Sequence, residues 1–332
     1  MKIAIVKLSA MGDIIHAMVA LQFIKKTFPE ATIDWIVEEG FKGILENNPH
    51  INNILTVNLK SIKIKKSAIF TQYKLLQKYG KNNYDVVIDA QGLLKSAIVS
   101  RIIGGRVVGS FVAGFDTDSI REKIASLFYD KKVYISYEKN VIDRNIKVIL
   151  EPLGLKLTKE DILTKEPFLY TNSKSSISNS QFPIIFIVGA SKPNKIYPKE
   201  KFLEIAEKLQ KQVLVVWGNQ DEYETAFWLS QNSNFITLDE KGTLDDLKFK
   251  IQNSKLIIGG DTGPTHIAWG MNIPSITIFG NTPAYRNTYE TPINKTVKSD
   301  SIVNPLKLDK TDFSIEEISS VSIVNIAKRL LV

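Results

Sequence analysis

The 332-residue chain contains no cysteine, so disulfides and thiol chemistry are excluded, which fits a reducing cytoplasm. It has only three histidines, far apart, and with no cysteine to join them a zinc site is not expected. No apolar run approaches the roughly 20 residues needed to cross a bilayer. Lys7 and Asp13 interrupt the apolar N-terminus, and the charged, apolar, small order of a signal peptide is missing. A soluble, cytoplasmic protein is expected. The first strand is followed by no GxGxxG, and the chain has neither a P-loop nor HExxH, so a nicotinamide-dependent oxidoreductase has little support and no cofactor is expected. A hydrophobic share of 44% with 23% charged residues leaves no room for a disordered or fibrous chain. The length suggests two domains, each able to bury a core.

The net charge is +8, from 43 basic and 35 acidic residues. Such an excess suits an acidic partner, and it also suits a lysine-rich proteome. Lys60, Lys63, Lys65 and Lys66 cluster with Ile62 and Ile64 between them, followed by Ile69 and Phe70. That mixture reads either as a face for the headgroups of an anionic membrane or as a solvated loop. Stacking aromatics do not interleave with the lysines, so nucleic acid is not an expected partner.

In the N-terminal half, short β-branched runs at 3–6, 33–37, 54–57, 86–88 and 106–108 alternate with helical patterns at 14–28, 67–79 and 93–103. Ile14, Ala17, Met18, Leu21, Ile24 and Phe28 make one helical stripe. Residues 170–183 are polar, serine-rich and without periodicity, the pattern of a linker. Strand and helix patterns restart at 184 and run to about 312. The expected class is α/β, with two Rossmann-like parallel-sheet domains (1–169 and 184–312) facing across a central cleft. A helical pattern within 313–332 is expected to pack back on the first domain.

Ligands of such sheets bind beyond the carboxyl ends of the strands, and that is where the chemistry-bearing residues fall. After the first strand, Gly12 and Asp13 open a helix where an anion would ordinarily sit. Asp13 is either a good helix-start residue or a base at the mouth of a cleft. After the strand at 184–188 come Ser191, Lys192 and Lys195, ahead of a helix starting at Pro198. A lysine there can neutralise charge on a departing diphosphate. Glu222 follows a Gly218 turn, where a carboxylate can hold a ribose or serve the helix dipole. Gly259-Gly260-Asp261-Thr262-Gly263-Pro264-Thr265-His266 has glycines for close approach and a proline suited to a helix start. Backbone N–H groups at Thr262 and Gly263 would face a diphosphate, Asp261 would accept from sugar hydroxyls, and His266 would donate to phosphate or sugar. Asp116-Thr117-Asp118 matches a metal-binding DxD string, but Asp118 also suits the N-cap of a helix near Ser119, and no metal is expected.

Residues 7–16, KLSAMGDIIH, resemble the opening of glycosyltransferase family 9, the bacterial lipopolysaccharide heptosyltransferases of GT-B fold. Residues 34–41 (DWIVEEGF), 89–97 (DAQGLLKSA) and 121–129 (REKIASLFY) are similar to its type I members in particular, and 261–266 to its nucleotide-sugar motif. The resemblance implies inverting transfer of L-glycero-D-manno-heptose from ADP-heptose to the first Kdo of Kdo2-lipid A, without a metal. It makes Asp13 the general base and Ser9 a nearby hydroxyl of the donor site. Lys195 and Ser191 are implied at the phosphates, Glu222 at the ribose and Gly242 at the adenine. Asp261, Thr262, Gly263 and His266 are implied at the sugar and diphosphate. Lys60, Lys63, Lys65 and Arg121 are implied at the acidic acceptor. Relatives carry Thr-Thr where this chain has Ala190-Ser191, one hydroxyl fewer, and its basic segment has lysines in place of bidentate arginines. A monomer at the inner face of the cytoplasmic membrane is expected. Transfer to a later heptose, or from another ADP-sugar, is the alternative within the family. A non-catalytic nucleotide-sugar or nucleic-acid binding protein is the alternative outside it.

Overall fold

The computed structural model describes residues 1–173 and 183–332, so most of the expected linker, 174–182, lies outside the described residues. The chain divides into two units, Met1–Phe168 and Leu169–Val332.

The first unit holds six strands: β1 (Lys2–Val6), β2 (Thr32–Glu38), β3 (Asn53–Val57), β4 (Val86–Asp89), β5 (Phe111–Phe115) and β6 (Lys131–Val133). All pair in parallel, in the order β3-β2-β1-β4-β5-β6. Continuous apolar runs such as Ile3 to Val6 are buried because helices cover the sheet. The stripe expected over 14–28 is present, split between helices Met11–Met18 and Ala20–Thr27, with Ile14, Met18, Leu21 and Ile24 fully buried.

The second unit repeats the plan with β7 (Ile184–Ile187), β8 (Val213–Val216), β9 (Ile236–Leu238), β10 (Leu256–Gly260), β11 (Ser275–Phe279) and β12 (Asn294–Lys298). Their order, β9-β8-β7-β10-β11-β12, is that of the first sheet strand for strand. Each sheet reverses direction of growth beside its first strand, between β1 and β4 and between β7 and β10. Open α/β sheets bind ligands at such switch points.

Three expectations are corrected. Residues 106–108 form a turn, with Gly109 at φ +81° and Val108 fully exposed, and the strand is β5, five residues later. β-branching alone placed it too early, because the turn glycines Gly104, Gly105 and Gly109 bracket the run. The closing helix, Ser320–Leu330, packs on helix Lys199–Leu209 and on β11 and β12, inside the second unit, instead of on the first. Its stripe of Ile323, Val324 and Ala327 completes a core with Phe202, Ile205 and Ile278, which is where that apolar face finds cover. Finally, Asp116, not Asp118, caps the short helical turn Thr117–Ser119. Its Oδ1 accepts from the Asp118 and Ser119 N–H groups at 3.1 and 2.9 Å.

Candidate functional site

Because every strand of the first sheet is parallel, the loops after β1 to β5 emerge along one edge. Asp13 sits there, partly exposed, in the first turn of helix Met11–Met18. The nearest hydrogen-bond donor to its carboxylate is the Ala10 N–H, at 3.5 Å from Oδ2 and therefore weak. A buried frame holds the loop that carries it. Gln91 Oε1 accepts from the N–H groups of Leu8 and Ser9 at 3.1 and 3.2 Å, and the Trp35 indole donates to the Lys7 carbonyl at 3.2 Å. Asp89, fully buried at the end of β4, accepts from the N–H groups of Gln91 and Gly92 and from the Tyr129 hydroxyl at 2.7 Å. Gly92 (φ +71°) is required there, since a Cβ would also lie 2.7 Å from Ile120.

Lys7 is the charged member of this frame. Its ammonium donates to the Ala90 carbonyl at 2.8 Å and to Asn145 Oδ1 at 3.0 Å. Burial lowers its pKa from the ordinary lysine range, while the nearby carboxylates of Asp13 and Asp89 work to keep it charged. The same burial raises the Asp89 carboxyl, against the hydrogen bonds it accepts. Asp13 therefore lies within electrostatic reach of the buried Lys7.

In the second unit the residues at the switch point are drawn together. Asp261 follows β10, and Lys195 comes from the loop after β7. Lys195 Nζ lies 2.8 Å from Asp261 Oδ2, both side chains being largely buried. The same oxygen accepts from the Thr282 hydroxyl and the Asn287 amide, each at 2.9 Å, and Oδ1 lies 3.1 Å from His266 Nε2. Burial opposes the charge on Asp261, but the His266 hydrogen bond and the Lys195 cation outweigh it and hold the carboxyl well below the usual range. Asp261 is thus a fixed anion whose Oδ2 is fully engaged. Its Oδ1 carries the His266 contact alone, and through Oδ2 it orients Lys195, Thr282 and Asn287. Thr262 takes the N-cap position of helix Gly263–Gly270 without a side-chain capping bond, and its own N–H donates to the Gly260 carbonyl at 2.9 Å, so the expectation that this N–H faces a diphosphate is corrected, leaving Gly263 as the first N–H of the helix start.

Glu222 lies in the first turn of helix Gln220–Asn232 and accepts from the Gly218 N–H at 2.7 Å and the Asn219 amide at 2.8 Å. A Cβ on Gly189 would lie 2.1 Å from Glu222 Oε1, so glycine there makes room for this carboxylate. Ser191 is exposed on the loop after β7. Gly242 immediately precedes Thr243, the cap of helix Leu244–Gln252. Trp217, before Gly218, donates to the Asp239 carbonyl at 2.8 Å and lies 5.3 Å beneath the Lys241 ammonium.

The basic residues expected at the acceptor are spread over two loops of the first unit. Lys60 borders helix Ser61–Ile64 and lies 5.7 Å from the Phe41 ring centroid, while Lys63 and Lys65 are exposed beside it. Arg121 follows β5 and stacks on Tyr137 at 5.0 Å. Among the described residues no acidic or histidine cluster suited to a metal ion occurs. Sequence reasoning missed Lys7, Asp89, Gln91, Thr282 and Asn287 as site residues. Asp89 ends its strand and Thr282 follows β11 by three residues, so the strand-end rule could have found both.

The profile of Glycosyltransferase family 9 (heptosyltransferase) matches residues 72–310. A Campylobacter coli protein described as Lipopolysaccharide heptosyltransferase 1 is 38% identical, with 99% of each chain covered. The Escherichia coli K12 protein of the same description is 29% identical, covering 85% of this chain and 88% of its own. Among solved structures, E. coli heptosyltransferase WaaC with ADP matches at a TM-score of 0.81, covering 99% of this chain and 100% of the other. At 23% identity that likeness speaks for the fold.

Proposed function

The chain belongs to glycosyltransferase family 9, the heptosyltransferases, and from that premise we propose that it moves a heptose from ADP-heptose onto Kdo2-lipid A. The fold is GT-B and the protein is a glycosyltransferase. The observation that carries the finer reading is the locked cluster of Asp261, Lys195 and His266 beside a helix start. A diphosphate needs a fixed cation and N–H donors, and the oriented Lys195 ammonium beside a helix start fits that need.

In this reading the donor's diphosphate lies against the helix start, at the Gly263 N–H and the Thr262 hydroxyl. The Lys195 ammonium, already oriented by Asp261, turns its remaining protons to the departing ADP. Ser191 adds a hydroxyl and Glu222 holds the ribose, with Gly242 at the adenine. Asp13 takes the proton of the attacking Kdo hydroxyl as that oxygen bonds to the anomeric carbon and the bond to ADP breaks, giving inversion. Its weakly hydrogen-bonded carboxylate suits a base, and general-base catalysis is worth about 10²–10⁴-fold. Ser9 lies beside it in the same loop. Lys60, Lys63, Lys65 and Arg121 attract the acidic acceptor, whose lipid places the reaction at the inner face of the cytoplasmic membrane.

Mass spectrometry of the product from Kdo2-lipid A tests the reading, with ADP-heptose compared against ADP-glucose and ADP-mannose. A single added heptose, dependent on ADP-heptose, is expected. No product on Kdo2-lipid A, with transfer to an already heptosylated acceptor, would move the protein to a later step.

A further inference from the structure

Only six of the 43 basic residues are arginines, and four of the six lie in the first unit. Arginine offers a planar fork that grips a phosphate or carboxylate through two N–H bonds, which lysine does not reproduce. Arg101 grips Asp130 at 2.9 and 3.1 Å, and Arg106 donates to the Ile102 carbonyl at 2.7 Å. Of the four residues expected at the acceptor, Arg121 alone carries a guanidinium, so a bidentate grip on the acceptor falls to it.

Arg121 is exposed, and an exposed arginine ordinarily samples many rotamers that a ligand must order at an entropic cost. Here the backbone on both sides of it is tied down. The Ser119 hydroxyl accepts from the Ile135 N–H at 2.8 Å, and Glu122 accepts from the Leu94 N–H at 2.6 Å. The Arg121 guanidinium itself lies over the Tyr137 ring, 5.0 Å from the centroid. That ring carries a second guanidinium, Arg144, at 4.9 Å. Arg144 is buried and donates to the carbonyls of Ser119, Ile135 and Ser136 at 2.6, 3.0 and 2.8 Å. It thereby ties the loop after β5 to the loop after β6 and fixes the ring on which Arg121 rests. Stacking takes up the face of a guanidinium, whereas anions are bound at its edge, so a stacked arginine is ordered without spending its donors on the ring. Two cations drawn to one ring also repel each other, and an arriving oxyanion relieves that repulsion.

We propose that Tyr137, fixed by Arg144, is a positioning residue for the acceptor, holding the Arg121 guanidinium ready for one of the acceptor's oxyanions, a phosphate or a carboxylate. The proposal rests on the reading that places Arg121 at the acceptor. It adds a residue from a different loop, after β6, whose part is to preorder that arginine and not to touch the acceptor.

Steady-state transfer to deacylated, water-soluble Kdo2-lipid A is the test. Tyr137→Leu and Tyr137→Gln remove the ring at a half-buried position, and Tyr137→Phe keeps it. The first two should raise the acceptor KM by about three- to fivefold, with kcat and ADP affinity within about twofold of wild type. Tyr137→Phe should keep the wild-type KM. Once Arg121→Ala has removed the guanidinium, loss of the ring should change nothing further. Nitrogen-15 relaxation at the Arg121 Nε–H reads the stacking apart from activity. That signal should be ordered in the wild type and in Tyr137→Phe, and mobile in the Leu and Gln variants. On an acceptor stripped of its phosphates, the ring's effect on KM should vanish if Arg121 takes a phosphate and persist if it takes a carboxylate. A wild-type KM in both ring-less variants, or the same rise with Arg121 already gone, would overturn the proposal. So would a loss shared equally by kcat and ADP affinity, or an Arg121 signal already mobile in the wild type. If the wild-type chain transfers nothing to this acceptor, the proposed reaction fails and the acceptor role of Tyr137 with it, even where relaxation shows the ring ordering Arg121.

Discussion

The two units share one strand order, yet they treat the carboxylate at the switch point in opposite ways. In the first, Asp13 stands partly exposed with a single weak donor, while the buried charges Lys7 and Asp89 are spent on fixing its loop. In the second, Asp261 is buried and held by Lys195, His266, Thr282 and Asn287. A carboxylate that must accept a proton gains from being left under-bonded, whereas one that must stay ionised gains from every donor it collects. On the proposed reading, one strand order supports a base in the first unit and an electrostatic anchor in the second.

The sharpest way to break this contrast is to remove the base. Asp13→Ala should lower the heptosyl transfer rate by about 10³-fold or more, and a variant turning over near the wild-type rate would return Asp13 to a helix-start role. Next is the anchor. Asp261→Asn leaves the largely buried Lys195 ammonium without its counter-charge, at a cost of about 3–5 kcal/mol, and should lower the melting temperature by several degrees. Since the native carboxyl is held below its ordinary range, its contribution is complete above the unfolded pKa of about 4 and fades only in stronger acid. The stability gap between wild type and variant should therefore stay level at neutral pH and narrow below about pH 4. Denaturant titrations at several pH values would reveal a gap that instead widened in acid.

Lys7→Met tests whether the buried cation serves Asp13. It should reduce kcat by about tenfold while ADP affinity stays within about twofold of wild type, because Lys7 lies in the loop frame of Asp13 and away from the donor residues. A fall in kcat matched by an equal fall in melting temperature and in ADP affinity would make Lys7 merely structural. The mildest change is Gly189→Ala, which should displace Glu222 and weaken ADP binding by about three- to tenfold, with the acceptor KM unchanged.

The two-domain α/β plan could be read from the alternation of β-branched runs and helical stripes. The strand-end rule then brought attention to Asp13, Lys195, Glu222 and Asp261. Much of what escaped is the pairing that tertiary structure creates. Thr282 and Asn287 reach Asp261 from 21 and 26 residues away, and Lys7 meets Asn145 across 138. The closing helix was misplaced because its stripe announces only that one face will be covered, not by which core. The strand expected at 106–108 failed for a local reason, since glycine turns overrode β-propensity.

The division of labour is tested most directly by titrating ADP into the full-length Asp13→Ala chain by calorimetry, beside the wild type and Asp261→Asn. The Asp13 variant should bind ADP within about twofold of wild type, while Asp261→Asn loses about tenfold or more. Loss of ADP binding in the Asp13 variant, or its full retention in Asp261→Asn, would contradict the assignment of base and anchor to the two units.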